Sequence, residues 1–244
     1  MVEIESLEAG YGERRVLQNV DLKIGAGFTA ILGPNGSGKT TLLKVISGIL
    51  KPYKGRITVC GLDPSREKRD RVAKVVTLVS QDFFPVYDFS AIEIVEMAFT
   101  HRSVFPSEDE RSIAMGALEY LGIVHLADRP FSTLSGGEKR LVMLARALAQ
   151  GAKVVLVDEL ELHLDPPHRE EMARVMRKLV DMGRMVIAVF HDIQLASSFA
   201  DRFVGVRDGR IVFDTERLTT EELKTLYDSD FVEIDGVIVP WYHR

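Results

Sequence analysis

The chain has 244 residues with a formal net charge of −5, and 46% of its residues are hydrophobic. This composition is that of a globular protein and excludes a largely disordered chain. The acidic balance disfavours a nucleic-acid-binding function, because proteins of that class generally carry a basic surface.

The sequence shows neither a leader pattern nor a membrane span. The first fifteen residues lack a basic segment followed by an apolar one, so we expect no signal peptide. The longest apolar runs, such as residues 185–190, are far shorter than the roughly 20 residues that cross a bilayer. The single cysteine, Cys60, cannot form an intrachain disulfide, which fits a reducing cytoplasm.

Apolar, β-branched runs predict strands, and many of these runs are continuous rather than alternating. A continuous run indicates a strand buried on both faces, as in a parallel sheet covered by helices. The predicted strands are residues 2–7, 20–24, 28–32, 56–60, 74–80, 153–158, 184–190, 202–206 and 210–214.

Helical patterns separate the later strands, for example at residues 40–49 and 169–182, so we predict an α/β fold. Residues 85–149 contain no convincing strand and are predicted to form an inserted helical subdomain. Residues 1–84 and 150–230 would form the sheet core of a single domain spanning 1–244. Residues 231–244 are predicted to form a C-terminal hairpin and tail, since Asp235-Gly236 suits a type I′ turn.

Residues 33–40 fit the phosphate-loop pattern G-x-x-x-x-G-K-[ST] between a predicted strand and a predicted helix. Glycines let backbone N–H groups surround phosphate oxygens, and the helix N-terminus adds partial positive charge. We expect Lys39 to reach the β- and γ-phosphates and the Thr40 hydroxyl to bind Mg²⁺. The residues predicted to bind ATP in this loop are Gly33, Pro34, Asn35, Gly36, Ser37, Gly38, Lys39, Thr40 and Thr41.

Polar side chains follow the other predicted core strands, where ligands bind in doubly wound sheets. Singly, Gln81 could cap a strand end, Asp158 could be a helix N-cap, and His191 could be an ordinary hydrogen-bonded histidine. Opposite a phosphate loop, we expect Asp158 and Gln81 to join Thr40 in holding Mg²⁺. Glu159 would act on the attacking water, and His191 would bind the γ-phosphate.

The segment Leu134-Ser135-Gly136-Gly137-Glu138 opens a predicted helix. Ser135 and Glu138 have the spacing of a capping box, which a purely structural helix would also show. The glycine pair costs helix stability, on the order of 1 kcal/mol per residue relative to alanine. It is explained if an anion approaches the exposed N–H groups, so the sequence predicts a composite site completed by a second copy of the chain.

Together these motifs resemble, in order and spacing, an ABC transporter ATP-binding subunit. Residues 187–214 and the ending, residues 218–240, resemble the branch of that family that imports iron–siderophore, haem or cobalamin. The resemblance implies a P-loop NTPase fold of the ABC ATPase type, with a mainly parallel sheet and an N-terminal antiparallel β-subdomain. It implies a head-to-tail homodimer with two ATP molecules between phosphate loop and signature, residues 134–138. It places Tyr11 on adenine, although a surface tyrosine is the default reading of Tyr11 alone. His163, Leu164 and Asp165 would form a loop that crosses the dimer interface.

The same resemblance implies ATP hydrolysis coupled to transport, with catalytic roles for Glu159, His191 and Gln81. The partners would be membrane permease subunits and, through them, an extracytoplasmic substrate-binding protein, which places the chain peripherally on the cytoplasmic face of the membrane. An aromatic cluster, Phe83, Phe84, Tyr87 and Phe89, is expected to be divided between core packing and a groove for a permease helix.

Three hypotheses remain open at this level: a transporter ATPase, a soluble ABC-type ATPase acting on other systems, and a nucleotide switch without turnover. Glu159 argues against the switch. The chain departs from the family pattern at Leu160, Glu161 and Leu162, where proline, a hydroxyl residue and often serine are usual. We therefore expect slow or weakly cooperative ATP hydrolysis. The sequence does not encode which substrate is transported.

Overall fold

The computed structural model describes residues 1–80, 85–99, 107–162, 164–234 and 236–241. Strands and helices alternate along much of the chain, as the sequence predicts. The strands are β1 Val2–Tyr11, β2 Arg14–Ile24, β3 Phe28–Leu32, β4 Lys54–Val59, β5 Val76–Ser80, β6 Val154–Asp158, β7 Met185–Val189, β8 Arg202–Arg207, β9 Arg210–Thr215, β10 Phe231–Ile234 and β11 Val237–Pro240. The helices are α1 Lys39–Ile46, α2 Arg69–Ala73, α3 Ala91–Glu96, α4 Glu108–Tyr120, α5 Gly136–Gln150, α6 Pro166–Asp181, α7 Ile193–Phe199 and α8 Thr220–Tyr227.

Within the described residues, a six-stranded sheet in the order β5-β6-β7-β3-β8-β9 organises the fold. The pairs from β5 to β8 are all parallel, and only β9 joins in antiparallel orientation. The carboxyl ends of β3, β5, β6 and β7 therefore point to one edge of the sheet. This confirms the predicted common direction of the strands that precede the polar residues.

The continuous apolar runs are explained by cores on both faces of this sheet. In β6, Val154 and Leu156 belong to a core shared with α1 and the N-terminal strands, whereas Val155 and Val157 belong to a core shared with α3, α4 and α5. Alternate side chains of a strand point to opposite faces, so burial on both sides requires apolar residues at every position. All four valine and leucine side chains are at most 1% exposed.

The N-terminal strands form a separate antiparallel sheet in the order β2-β1-β4. Both β1 and β2 are longer than predicted: β1 continues to Tyr11 and β2 begins at Arg14. The predicted first strand ended at residue 7 because register shifts between Ile4 and Gly10 interrupt the alternation of apolar and polar residues. Tyr11 is thus the last residue of a strand rather than part of a free loop.

The described residues between 85 and 149 contain helices and one isolated bridge between Ser90 and Pro130, but no strand. Ser90, Ser107 and Ser135 each begin a helix with a reciprocal capping box. The predicted capping box of Ser135 and Glu138 is confirmed. The apolar faces of these helices share one core with a face of the large sheet.

Helix boundaries differ from the predicted ranges where proline or glycine chemistry overrides periodicity. The helix predicted at 169–182 begins three residues earlier, because Asp165 caps it and Pro166 occupies its first position. The helix predicted at 40–49 ends at Ile46, since Gly48 adopts a left-handed conformation with φ of 74°. The predicted C-terminal hairpin is present as β10 and β11; Asp235 lies outside the described residues.

Asp201 fixes the start of β3, the strand that leads into the phosphate loop. Its carboxylate accepts hydrogen bonds from the Phe28 N–H at 2.9 Å and from Arg177 at 2.7 Å. Burial raises the pKa of Asp201, but these two hydrogen bonds outweigh it, so the pKa lies below its ordinary value of 3.8. The folded state therefore favours the ionised carboxylate.

Asp201→Asn is expected to lower the free energy of unfolding at pH 7 by about 1 kcal/mol, a modest loss because the side chain is half-exposed. Because the folded pKa is depressed, this stabilisation is present above the unfolded pKa and disappears as pH falls through the folded value. Urea unfolding at pH 7 and pH 3 measures it. Asp181→Asn, which removes only a 3.7 Å contact with the same Arg177, is the control. Equal destabilisation by Asp201→Asn and Asp181→Asn would contradict the role of Asp201 in fixing the start of β3.

Candidate functional site

The phosphate loop lies between β3 and α1, at the carboxyl edge of the sheet. A Cβ atom on Gly33 would stand 2.1 Å from the carbonyl oxygen of Val206, so only glycine fits where the loop passes β8. The Lys39 ammonium donates to the carbonyls of Gly33 at 2.8 Å and Pro34 at 3.0 Å. Burial lowers the pKa of Lys39, partly offset by the negative charges of Glu159, Asp158 and Glu161.

Thr40 and Asp158 meet where α1 faces the end of β6. The Thr40 hydroxyl donates to the Asp158 carboxylate at 3.1 Å. Burial raises the pKa of Asp158 above its ordinary value, although the Thr40 hydrogen bond and the charges of Lys44 and Lys39 oppose this shift. A partly buried carboxylate beside a hydroxyl offers the oxygen ligands that Mg²⁺ prefers, so these two residues fit that ion.

Glu159 and His191 also lie together, although they follow different strands. One carboxylate oxygen of Glu159 is 2.8 Å from Nε2 of His191, without the alignment of a good hydrogen bond. Glu159 has φ of 53°, a left-handed conformation that is uncommon for a residue with a side chain. Such backbone strain is concentrated at functional sites, where the surrounding structure maintains it.

Tyr11 borders the phosphate loop. The residue is 47% exposed and forms one wall of a cavity of about 290 Å³ with Arg14, Gly36, Lys39 and further loop residues. An exposed aromatic face beside a phosphate-binding loop is available for stacking. The structure thus brings together most of the predicted ATP-binding residues, including Tyr11.

The signature segment begins α5 on the helical side of the molecule. Glycine is not required there by the fold: a Cβ on Gly136 would meet only Arg140 at 3.4 Å, and one on Gly137 would meet His168 at an ordinary 3.5 Å. Neither glycine has the positive φ that excludes other residues. Within the described residues, no close contact and no backbone conformation requires glycine at either position.

A second cavity, of about 550 Å³, lies between the segment after β5 and α5. Val86 and Tyr87 are strongly exposed at its rim, and Phe131, Met143 and Leu160 contribute apolar walls. Phe89 instead packs against the core, with its ring edge-on to that of Tyr87. Phe83 and Phe84 lie outside the described residues.

Two predicted site residues, Gln81 and His163, also lie outside the described residues, so their roles stay predictions. Leu164 is buried, and the Asp165 side chain caps α6 by accepting from the His168 N–H at 3.2 Å. The alternative reading of Asp158 as a helix N-cap is wrong: Asp165 and Asp192 perform that function for α6 and α7.

Sequence reasoning missed two contributions to this region. Glu161 is buried and accepts a hydrogen bond from the backbone N–H of His191. Tyr227 and Trp241 of the C-terminal segment line a cavity of about 720 Å³ together with Pro34 and His191. No local pattern indicates either arrangement, because both depend on segments that are distant in sequence.

Residues 17–161 match the family described as ABC transporter. The hemin import ATP-binding protein HmuV of Bradyrhizobium diazoefficiens is 33% identical over 251 residues, which cover 97% of this chain and 92% of that protein. The cobalamin import ATP-binding protein BtuD of Halobacterium salinarum is 34% identical over 213 residues, or 86% of this chain. The match covers 54% of BtuD, so the chain spans about half the length of that relative.

The fold is also that of a solved ATP-binding cassette. A dimeric structure of the cassette MJ0796, in a post-hydrolysis state with ADP and Pi, superposes with a TM-score of 0.77 at 28% identity. The superposition covers 90% of this chain and all of the other. In the part of the chain that the structure describes, no helix is both long and apolar enough to cross a membrane. The fold, the motifs and these similarities together identify the chain as a member of the ABC transporter family, one of its ATP-binding proteins.

Proposed function

We propose that the chain is the ATP-hydrolysing subunit of a membrane ABC importer. The observation that carries this proposal is the convergence of four elements at one sheet edge: the loop after β3, the start of α1, and the ends of β6 and β7. They bring Lys39, Thr40, Asp158, Glu159 and His191 into one site. A phosphate cradle, a partly buried acid and a second carboxylate beside a histidine are the parts that hydrolysis of a terminal phosphate needs.

Different residues of the site would bind the phosphates, the adenine and Mg²⁺. Backbone N–H groups of residue 33 and residues 35–41, together with the Lys39 ammonium, would bind the phosphates, and Tyr11 would stack on adenine. Lys39 currently donates to loop carbonyls, so a phosphate would replace these as its partners. Thr40, Asp158 and the predicted ligand Gln81 would hold Mg²⁺, which neutralises charge on the phosphates. In the described residues no group of three or more His, Cys, Asp or Glu side chains could hold a metal. Phosphate oxygens of a bound nucleotide would supply further ligands to Mg²⁺.

Glu159 is the group we propose as general base for the attacking water. Glu159 directly follows Asp158 in the chain, and one of its carboxylate oxygens lies 2.8 Å from Nε2 of His191. His191 would turn from Glu159 to the γ-phosphate when nucleotide is bound, and this exchange would report whether the phosphate is present. A general base contributes on the order of 10²- to 10⁴-fold to a reaction rate. Because Glu159 supplies a carboxylate where this base is proposed, it disfavours the hypothesis of a nucleotide switch without turnover.

The active form is proposed to be a homodimer in which residues 134–138 of one chain contact the ATP of the other. The glycine pair supports this, because the fold itself leaves room for side chains at Gly136 and Gly137. The similarity to a dimeric cassette supports the same arrangement. Residues 163–165 would then lie at the interface; of these, Leu164 lies near Gly137 of the signature segment in the same chain.

Gly136→Ala is expected to lower ATPase activity about tenfold or more, since a methyl group would hold phosphate away from the N–H donors. The same change should leave stability equal or raise it by up to about 1 kcal/mol, because alanine favours the helix. Phosphate release and thermal unfolding measure the two effects. Gly116→Ala is the matched control, since a Cβ there meets nothing within 4 Å in helix α4. Unchanged activity of Gly136→Ala would contradict the signature role.

The cavity bordered by Val86, Tyr87 and Phe131 is the proposed contact for a permease helix. It combines exposed apolar side chains with the end of β5. Movement of a permease helix in this cavity would therefore displace the chain near the predicted position of Gln81. We propose that the chain binds permease subunits on the cytoplasmic face of the membrane. An extracytoplasmic substrate-binding protein would act through that permease.

The proposed cargo is a metal chelate of the haem, cobalamin or iron–siderophore class. HmuV and BtuD, which are named for hemin and cobalamin import, support this proposal. The alternatives are a soluble ABC-type ATPase or a subunit for another substrate. The test measures uptake of hemin, cobalamin and a ferric siderophore by cells that produce the chain together with the permease encoded beside it. Cells that produce the Glu159→Gln variant with the same permease are the comparison. Uptake that does not depend on Glu159, or that includes none of the three, would refute it.

As for domain organisation, we propose a single domain over residues 1–244. Its core would comprise 1–84 and 150–230, its helical subdomain 85–149 and its hairpin tail 231–244. The shared apolar core between the helices and the large sheet supports a single folding unit. The helical part ends close to the proposed boundary, since α5 extends to Gln150.

A further inference from the structure

Glu161 is a charged residue in an unusual place. It lies in the loop after β6, two residues beyond Glu159, and it is only 3% exposed. Its carboxylate accepts a hydrogen bond from the backbone N–H of His191 at 2.7 Å. The loop that carries the proposed base is therefore tied to the end of β7 by a side chain, not only by packing.

Burial of a carboxylate is costly unless its oxygens have partners. Burial raises the pKa of Glu161, while the His191 N–H and the Glu161 backbone itself oppose the shift. Lys39 and Arg140 contribute positive charge to the same region, and Glu159 contributes negative charge. A leucine of similar volume would fill this space without a desolvation cost. The carboxylate is thus explained by the hydrogen bond that it makes, rather than by packing alone.

One loop therefore approaches His191 at two points, of which the backbone contact is a hydrogen bond. Glu159 lies 2.8 Å from its imidazole Nε2, and Glu161 bonds to its backbone N–H. The backbone bond fixes the position of the His191 main chain beyond β7, and with it the point from which the imidazole extends. Both contacts come from positions two residues apart, so the same short loop segment faces the imidazole and the backbone of His191.

The loop itself is secured from the helical side. Arg140 of α5 donates to the carbonyl oxygen of Leu162, and Leu160 is buried against the core. Gly137, at the start of the same helix, packs near Leu164 and His168. Glu161 therefore acts from a loop that is fixed at both ends, and this lets its hydrogen bond transmit a defined position to His191.

We infer that Glu161 is a positioning residue for His191: its buried carboxylate holds the histidine backbone so that the imidazole is directed at Glu159 and the nucleotide site. This inference rests on the proposed roles of Glu159 and His191 in ATP hydrolysis. It assigns a function to a position where the ABC pattern places a hydroxyl residue. The longer carboxylate reaches a backbone N–H across the site, as the 2.7 Å distance records.

The test compares Glu161→Leu with Glu161→Gln in the full-length chain. Glu161→Leu keeps the buried volume but removes the acceptor, whereas Glu161→Gln keeps an acceptor oxygen without the charge. We expect Glu161→Leu to lower kcat for ATP about tenfold or more, while KM changes less than about twofold, because a positioning contact acts on the reacting geometry rather than on phosphate binding. Glu161→Gln should retain kcat within about threefold of the unmodified chain.

A second variant separates this role from a purely structural one. In a His191→Ala background, Glu161→Leu should cause no further loss of kcat, because the side chain that Glu161 positions is already gone. Thermal unfolding and ATP binding are measured for each variant. Equal additional losses in the presence and absence of His191, or a loss in Glu161→Gln as large as in Glu161→Leu, would overturn the inference.

The inference and the proposed function fail in different ways. If Glu159→Gln abolishes turnover and Glu161→Leu leaves kcat unchanged, only the role of Glu161 is wrong. If Glu159→Gln or His191→Ala leaves turnover intact, the proposed catalytic roles are wrong, and the positioning role is wrong with them. Loss of folding in Glu161→Leu with full activity in Glu161→Gln, together with a lower kcat in the folded fraction, still supports positioning.

Discussion

Glu159→Gln is expected to bind ATP and form the nucleotide-bound dimer but to hydrolyse ATP at least about 100-fold more slowly, because an amide does not accept the proton of the attacking water. The side chain keeps its shape and its contact distance to His191, so nucleotide affinity should stay unchanged. Steady-state phosphate release measures turnover, and size-exclusion chromatography with ATP and Mg²⁺ measures the dimer. The dimer of this variant should persist longer than that of the unmodified chain, because slow ATP hydrolysis delays its dissociation.

Glu170→Gln is the control for this experiment, because Glu170 is an exposed residue of α6 that pairs only with Arg174 in the described contacts. It should hydrolyse ATP at the rate of the unmodified chain. Turnover by Glu159→Gln close to the original rate would show that the base lies elsewhere. Failure of the variant to bind ATP would show instead that the carboxylate has a structural role in the phosphate site.

Lys39→Met is expected to weaken ATP binding about 100-fold. The ammonium would form charge-assisted hydrogen bonds to phosphate, worth about 1.5–3 kcal/mol each relative to water. Its loss should not destabilise the fold, because Lys39 is only 4% exposed and its burial already disfavours the charge. Calorimetric titration with ATP gives the affinity, and thermal unfolding without nucleotide gives the stability.

The matched control is Lys51→Met, which removes an exposed lysine outside the phosphate loop. It should bind ATP with unchanged affinity, so a general effect of net charge is excluded. If Lys39→Met bound ATP as tightly as the unmodified chain, the loop of residues 33–40 would not be the phosphate site. A large loss of stability would show that the hydrogen bonds from Lys39 to Gly33 and Pro34 anchor the loop.

Residues 160–162, which depart from the ABC family pattern, are well packed in the structure. Leu160 is 1% exposed and Glu161 3% exposed, so this part of the loop is packed rather than loose. Turn hydrogen bonds from Leu162 to the Glu159 carbonyl and from Leu164 to the Glu161 carbonyl, both 3.3 Å, shape it without proline. The expectation of slow or weakly cooperative hydrolysis stays a prediction, and the Glu161 variants are the direct way to address it.

Several features followed from local sequence because local chemistry decides them. The continuous run of residues 154–157 predicted a strand buried on both faces, and both faces are indeed covered. The spacing of Ser135 and Glu138 predicted their capping box. The glycines and lysine of the phosphate loop predicted a backbone cradle, since few other functions require these residue types in that order.

What only the tertiary structure decided is which distant groups meet, and in what environment. The contact of Glu159 with His191 joins the ends of β6 and β7, and the bond from the His191 N–H to Glu161 joins the same two segments. Neither can be read from spacing, because register and loop path set these distances. Burial likewise determined the direction of the Asp158 and Glu161 pKa shifts. The sequence by itself thus determined the fold class and the chemical groups of the site, whereas packing decided that Glu161 is buried and bonds to the backbone of His191.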